Sequence, residues 1–238
     1  MPEQTISSHT INSSDFPCLK MRGLTLDTDD AGTDIYFKLG LKARDKGALR
    51  TPKFLSLLSS LLETSVQNNE MLLEEAQIED VLTAFHGSKS PPVSIRQYIE
   101  RIFKYAGCSP SCFIVAYIYV DRYLQHSEAY LTSLNVHRLL VTSVMVAAKF
   151  IDDAFFNNAY YAKVGGVSTT EMNRLEMKLL FSLDFRLQVD VDTFRKYCLQ
   201  LEKEAGGCEI DPPVNAACWV NETWSTKRDS KRCTPVAR

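Results

Sequence analysis

The chain has 238 residues, a hydrophobic content of 45% and a net charge of -2. That suits one domain with tails and a real core. The near-neutral balance disfavours general nucleic-acid binding, which needs a basic face. The longest apolar stretch, Leu139 to Phe150, is too short and too interrupted to span a bilayer, so no membrane partner is expected. The seven cysteines are odd in number, form no Cys-x-x-Cys and follow no signal peptide, which points to reduced thiols in the cytosol or nucleus. Cys108 and Cys112 are spaced for one helix face, but no histidine lies near them in sequence, and no metal or cofactor site is read here.

Residues 1 to 33 are rich in Ser, Thr, Asn and Asp and read as a disordered arm. Pro52 suits a first helical position. Phe54, Leu57, Leu58, Leu61 and Leu62 then form one apolar stripe at helical spacing. Asn68-Asn69 interrupts the pattern, and a second amphipathic helix is expected from Met71 to Phe85. Ser90-Pro91-Pro92 breaks the chain. Ser94 can cap a helix bearing Ile95, Tyr98, Ile99, Ile102 and Phe103, which Gly107 stops. Ser109-Pro110 starts the next, through Phe113 to Leu124. Thr132 or Ser133 opens a third, running from Leu134 to Ile151 and apolar nearly all round. Such a helix is the buried centre of an all-α domain.

The run "FFNNAYYAKVGGVS" (155 to 168) follows. Gly165-Gly166 lacks the further glycines or the Lys-Ser/Thr ending of a phosphate cradle, so the pair reads as a turn into the next helix. Ala159 to Val164 suits a short helix. Phe155-Phe156 and Tyr160-Tyr161 read as core more readily than as interface. Asn157-Asn158 does not, because buried amides need hydrogen-bond partners. Ser168-Thr169-Thr170-Glu171 reads as a capping box. Met172, Leu175, Leu179, Leu180 and Leu183 follow it, and a last helix from Asp190 to Glu204 carries Val191, Phe194, Tyr197 and Leu201.

No dinucleotide, P-loop, nucleophile-elbow or zincin motif occurs, so an enzyme is disfavoured. Charges at otherwise buried positions are more informative. Lys149 ends the apolar central helix, and Glu176 lies on or beside the stripe of a later one. They can pair with each other, snorkel to the surface or face a protein partner. Asp121 sits between Val120 and Arg122 and is expected to form an ion pair with Arg96 or Arg101. The basic cluster Lys227-Arg228 and Lys231-Arg232 reads as solvated charge. Thr51-Pro52, Ser90-Pro91, Ser109-Pro110 and Thr234-Pro235 have the form of proline-directed sites, with Thr234 the most exposed by expectation.

Val120-Asp121-Arg122-Tyr123-Leu124 resembles the second helix of a cyclin box, Ala147-Ala148-Lys149-Phe150 the end of the third, and Arg174-Leu175-Glu176 followed by Leu183-Asp184-Phe185 the fifth. The segments from Ser94 to Ile99, "LTSLNVHRLL", "AAKFIDD", "NNAYYAKVGGVS" and "TPKFLSLLSSLLE" are most similar to the plant U-type, or P-type, cyclins, which resemble the yeast phosphate-pathway cyclin. The resemblance implies a single five-helix box around a central buried helix, with extra N- and C-terminal helices. It divides the chain into a disordered arm (1–33), a helical extension (34–91), the box (92–186), a C-terminal helix (187–205) and a flexible tail (206–238).

The resemblance further implies a regulatory subunit that binds and activates a cyclin-dependent Ser/Thr kinase, a plant A-type kinase in particular, as a heterodimer. The alternative is a cyclin-box scaffold that binds another protein without activating a kinase. By position, Lys149 and Glu176 match the family's charged pair at the kinase interface. Asp152, Asp153, Phe155 and Phe156 lie where the loop after the third box helix approaches the kinase, and Asp121 matches a position that stabilises the box. The Met-Arg-Ala-Ile-Leu substrate-recruiting motif is absent, and Ser94 to Tyr98 stand in its region. Neither Arg-x-x-Leu nor Leu-x-Cys-x-Glu occurs.

Overall fold

A computed structural model of the chain describes residues 39–41, 52–205 and 236–237. The described residues form seven helices: α1 (Lys53–Ala76), α2 (Ile95–Ala106), α3 (Ser111–Ser127), α4 (Val136–Ile151), α5 (Asn158–Gly165), α6 (Thr169–Ser182) and α7 (Val191–Ala205). Two short strands, β1 (Ala154–Phe155) and β2 (Val236–Ala237), pair antiparallel. The expected arm (1–33), Thr51, the basic cluster, Thr234 and most of the tail lie outside the described residues.

α4 organises the rest. All its residues from Val136 to Ala148 except Arg138 are buried. A helix without a polar face has to be enclosed on every side. α2, α3, α5 and α6 supply that enclosure. α3 is nearly as buried, from Cys112 to Val120, and lies along α4. α1 packs on α2 and α7, and α7 packs on α3. Phe54 of α1, Phe103 of α2 and Phe113 of α3 meet with ring centroids 5.7 to 6.0 Å apart. Such aromatic contacts tie the flanking helix to the bundle.

The helix starts follow the capping residues. The Ser94 hydroxyl accepts from the Gln97 amide, and the Ser168 hydroxyl from the Glu171 amide. Gly107 stops α2 in the left-handed region. The capping box at Ser168 is only half made. The Glu171 carboxylate turns to Arg138 of α4, at 2.7 Å, and so ties α6 to the central helix. Pro52 takes the N-cap rather than the first helical position, and α4 starts at Val136 after an Asn135 N-cap. The side chain of Asn135 accepts from the Thr132 amide, which fixes that turn.

The expected second helix over Met71 to Phe85 is not formed. α1 instead runs unbroken through Asn68-Asn69 to Ala76 and ends at a left-handed Gln77. The reason is tertiary. Asn69 donates to the Leu131 carbonyl, and Glu70 accepts from the Ser133 amide, so the polar residues that seemed to break the stripe grip the α3–α4 loop. Beyond Gln77, Ile78, Val81 and Leu82 find no surface to cover and stay exposed. Phe85 alone of that stripe is buried, against Tyr123, and Asp80 accepts from the Tyr130 amide.

Gly165-Gly166 does more than turn the chain. Gly166 takes the left-handed C-cap of α5. A Cβ on Gly165 would lie 3.0 and 3.1 Å from the two methyls of Val141, while its carbonyl accepts from the Tyr98 hydroxyl at 2.9 Å. The absent side chain lets α5 approach α4 and α2 closely. Gly165→Ala is therefore expected to destabilise the fold by about 1–3 kcal/mol, measured by urea unfolding.

His137 of α4 is buried, donates from Nε2 to the Val93 carbonyl and packs edge-on against Tyr98. Burial holds its pKa below the ordinary value of 6.5. The unfolded chain then binds the proton more readily, so this contribution is present above that value and is lost as the pH falls below it. Stability measured from pH 7.5 to 5.5 should fall less steeply in His137→Gln, which keeps a side-chain donor, than in the natural chain.

Candidate protein-docking face

The end of α4 and the middle of α6 bring Lys149 and Glu176 together. Lys149 Nζ lies 2.6 Å from Glu176 Oε1, and the two side chains are 26% and 16% exposed. Asn158, the first residue of α5, completes the arrangement. Its amide oxygen accepts from Lys149, and its nitrogen donates to Glu176 Oε2 at 2.6 Å and to Asn173 at 2.7 Å. Both carboxylate oxygens and two of the ammonium donors are thus engaged, which fixes the rotamers of a pair that exposure alone would leave loose. For an ion pair that still reaches water the energetic gain is only about 0–1 kcal/mol. Its value lies in orientation.

Exposed apolar side chains stand on the same two helices and just beyond the end of α6. Phe150 and Ile151 follow Lys149 and are exposed. Met177 and Phe181, four apart on α6, are exposed, Phe181 to 64%, and Phe181 is in edge contact with Phe185 just beyond the helix end. Phe150 and Ile151 also line a cleft of about 440 Å³, together with Val115, Leu187, Val189 and Phe194. Exposed aromatics clustered around a preorganised polar centre have the composition of a protein-docking surface.

The other residues singled out from the sequence divide. Asp153 is exposed and Phe155 half-buried on the loop after α4. Asp152 turns inward: its carboxylate accepts from the Ser109 amide at 2.7 Å and lies 3.4 Å from the Cys112 thiol, so it caps the start of α3. Phe156 stacks on Tyr160 at 4.0 Å and fills the space over Gly107. Tyr161 is fully buried, whereas Tyr160 is half-buried and donates to the Tyr105 carbonyl. Asn157 is the N-cap of α5. Asn158, Asn173 and the apolar rim were not read as site residues. Only Asn158 gave a signal, as an amide too polar for a core of aromatics.

The expected partner of Asp121 is corrected. Asp121 is buried, and its Oδ2 accepts from the Tyr197 hydroxyl and, at 2.7 Å, from Gln125. Arg96 is exposed and pairs with Glu100, while Arg101 donates to the Lys163 carbonyl. The two arginines are engaged elsewhere, and the hydroxyl on α7 serves Oδ2 without burying a second charge, while Oδ1 is buried with no hydrogen-bond partner among the described residues. Burial raises the Asp121 pKa, and the Tyr197 and Gln125 hydrogen bonds oppose that rise.

A family model described as Cyclin matches residues 55–187, from within α1 to just beyond α6. The chain belongs to the cyclin family. It is 55% identical over 212 residues to Cyclin-P3-1 of Oryza sativa subsp. japonica, covering 88% of this chain and 90% of that one. It is 48% identical over 219 residues to Cyclin-U3-1 of Arabidopsis thaliana, covering 90% and 98% respectively. Cyclin-U4-1 of Arabidopsis thaliana is 53% identical over 153 residues, 64% of this chain and 76% of that relative. These place the cyclin among the plant P- and U-type members. The matched region takes in most of α1 and all of α2 to α6, with the buried α4 among them. α7 lies outside it and packs on α1 and α3.

The Asp121–Tyr197 hydrogen bond makes α7 part of the stability of α3. Tyr197→Phe leaves a buried carboxylate short of a donor, and is expected to cost about 1.5–3 kcal/mol in chemical denaturation with little change in the native circular dichroism spectrum.

Proposed function

We propose that this cyclin binds a cyclin-dependent Ser/Thr kinase through the face built on Lys149 and Glu176, and activates it. Its family membership gives it a regulatory rather than a catalytic role. The observation that carries the proposal is the Lys149–Asn158–Glu176 lock, held rigid among exposed aromatics on α4 and α6. The charged pair can exchange hydrogen bonds with polar groups of a partner helix, while Phe150, Ile151 and Phe181 bury against its apolar side. Asp153 and Phe155 extend the contact along the loop after α4. Asp152 and Phe156 act at one remove, by holding that loop to α3 and α5.

An active protein kinase needs the Glu of its C helix paired with the Lys of its third strand. A cyclin that binds the conformer having that pair better than the one lacking it shifts the kinase toward activity, with no chemistry of its own. The kinase is of the plant A type in this reading, the setting is cell-division or nutrient-linked control, and the complex works in the nucleus or cytoplasm.

The double variant Lys149→Ala/Glu176→Ala should weaken kinase binding about thirtyfold, or about 2 kcal/mol, with unchanged far-UV circular dichroism. Asn158→Ala, which removes the lock but keeps both charges, should weaken it about fivefold, or about 1 kcal/mol. Unchanged affinity in the double variant would refute the site. Binding without stimulated phosphate transfer to a protein substrate would instead favour a scaffold.

A further inference from the structure

β1 lies on the loop directly after α4, at the rim of the docking face. It consists of Ala154, exposed, and Phe155, half-buried. The Asp152 carboxylate pins the chain before it to the start of α3, and the Phe156 ring pins the chain after it over Gly107. The backbone between these anchors is therefore held extended. Extended backbone at a surface presents unpaired N–H and C=O groups, which a second strand can satisfy.

The occupant of that edge is this chain itself. β2, Val236–Ala237, pairs antiparallel with β1, Ala154 opposite Ala237 and Phe155 opposite Val236. The pairing lies far from α7 in sequence and touches the one loop that connects the Lys149 helix to the Asn158 helix. A ladder of two residues is short, so it is held by the tether rather than by its own strength, and a partner that covers the same edge can displace it.

We infer that Val236–Ala237 docks on the β1 edge by strand addition and competes there with the protein that binds the Lys149–Glu176 face. The inference rests on the reading of that face as a kinase-docking surface. Docking in the free chain lowers the fraction of molecules open to the kinase. The apparent affinity falls by that fraction, so about 80% occupancy of the edge corresponds to about a fivefold loss.

The test compares the full chain with Val236→Pro/Ala237→Pro, whose prolines cannot donate to a ladder and leave length and charge unchanged. Two quantities are read: hydrogen–deuterium exchange of the backbone at 152–157 in the free protein, and the Kd for a purified plant A-type cyclin-dependent kinase. The expected result is faster exchange over β1 together with a Kd about fivefold lower. Equal exchange in both proteins overturns the docking. Faster exchange with an unchanged Kd overturns the competition. Faster exchange with no kinase binding by either protein overturns the kinase reading and the competition with it, while the strand docking stands.

Discussion

The fold depends on the burial of α4. From Val136 to Ala148 this helix exposes almost nothing, and its polar backbone is already satisfied within the helix. The twelve buried residues of this stretch, all but Arg138, cannot be left in water, so the neighbouring helices have to surround it. α3 covers one side, α2 and α5 another, and α6 closes the remainder. The close approach at Gly165 and the Glu171–Arg138 pair both follow from this packing, because each holds a neighbour against α4.

The proposed docking face is the place where that enclosure stops. Lys149 comes one residue after the buried stretch, where α4 emerges, and Glu176 stands where α6 passes it. A charge at the end of a buried helix can reach water only in one direction, and Asn158 closes the other directions by hydrogen bonding. The site is therefore a product of the core's geometry and not an independent decoration. Its apolar rim belongs to the same boundary: Phe150, Ile151 and Phe181 extend the hydrophobic surfaces of α4 and α6 beyond the point where other helices cover them.

Much of this was legible in the sequence, for local reasons. Ser94 and Ser168 cap through their own hydroxyls, and α4 declares itself by having no polar face. The failures share a different cause. Met71 to Phe85 has helical periodicity, but periodicity does not say whether a surface waits for the stripe. Asp121 needed a partner, and the hydroxyl that met it lies on α7, far down the chain, where charge matching with nearby arginines gave no hint. Lys149 and Glu176 were picked out as charges near a core. The side chain that locks them sits in an aromatic run, where Asn157-Asn158 stands out as a pair of amides unsuited to a core but does not reveal its partners.

The Tyr197 hydroxyl on α7 and the Phe54 ring on α1 also bear on how the chain reaches this state. α1 and α7 touch each other, although five helices lie between them in sequence. The contact that closes the fold on that side is among the most distant in the chain, and such contacts form only after the entropy of the intervening loop has been met. The central helices can collapse on α4 through nearer neighbours. The flanking pair has to wait for them, and the last of the described helices is needed to complete a surface begun by the first of them.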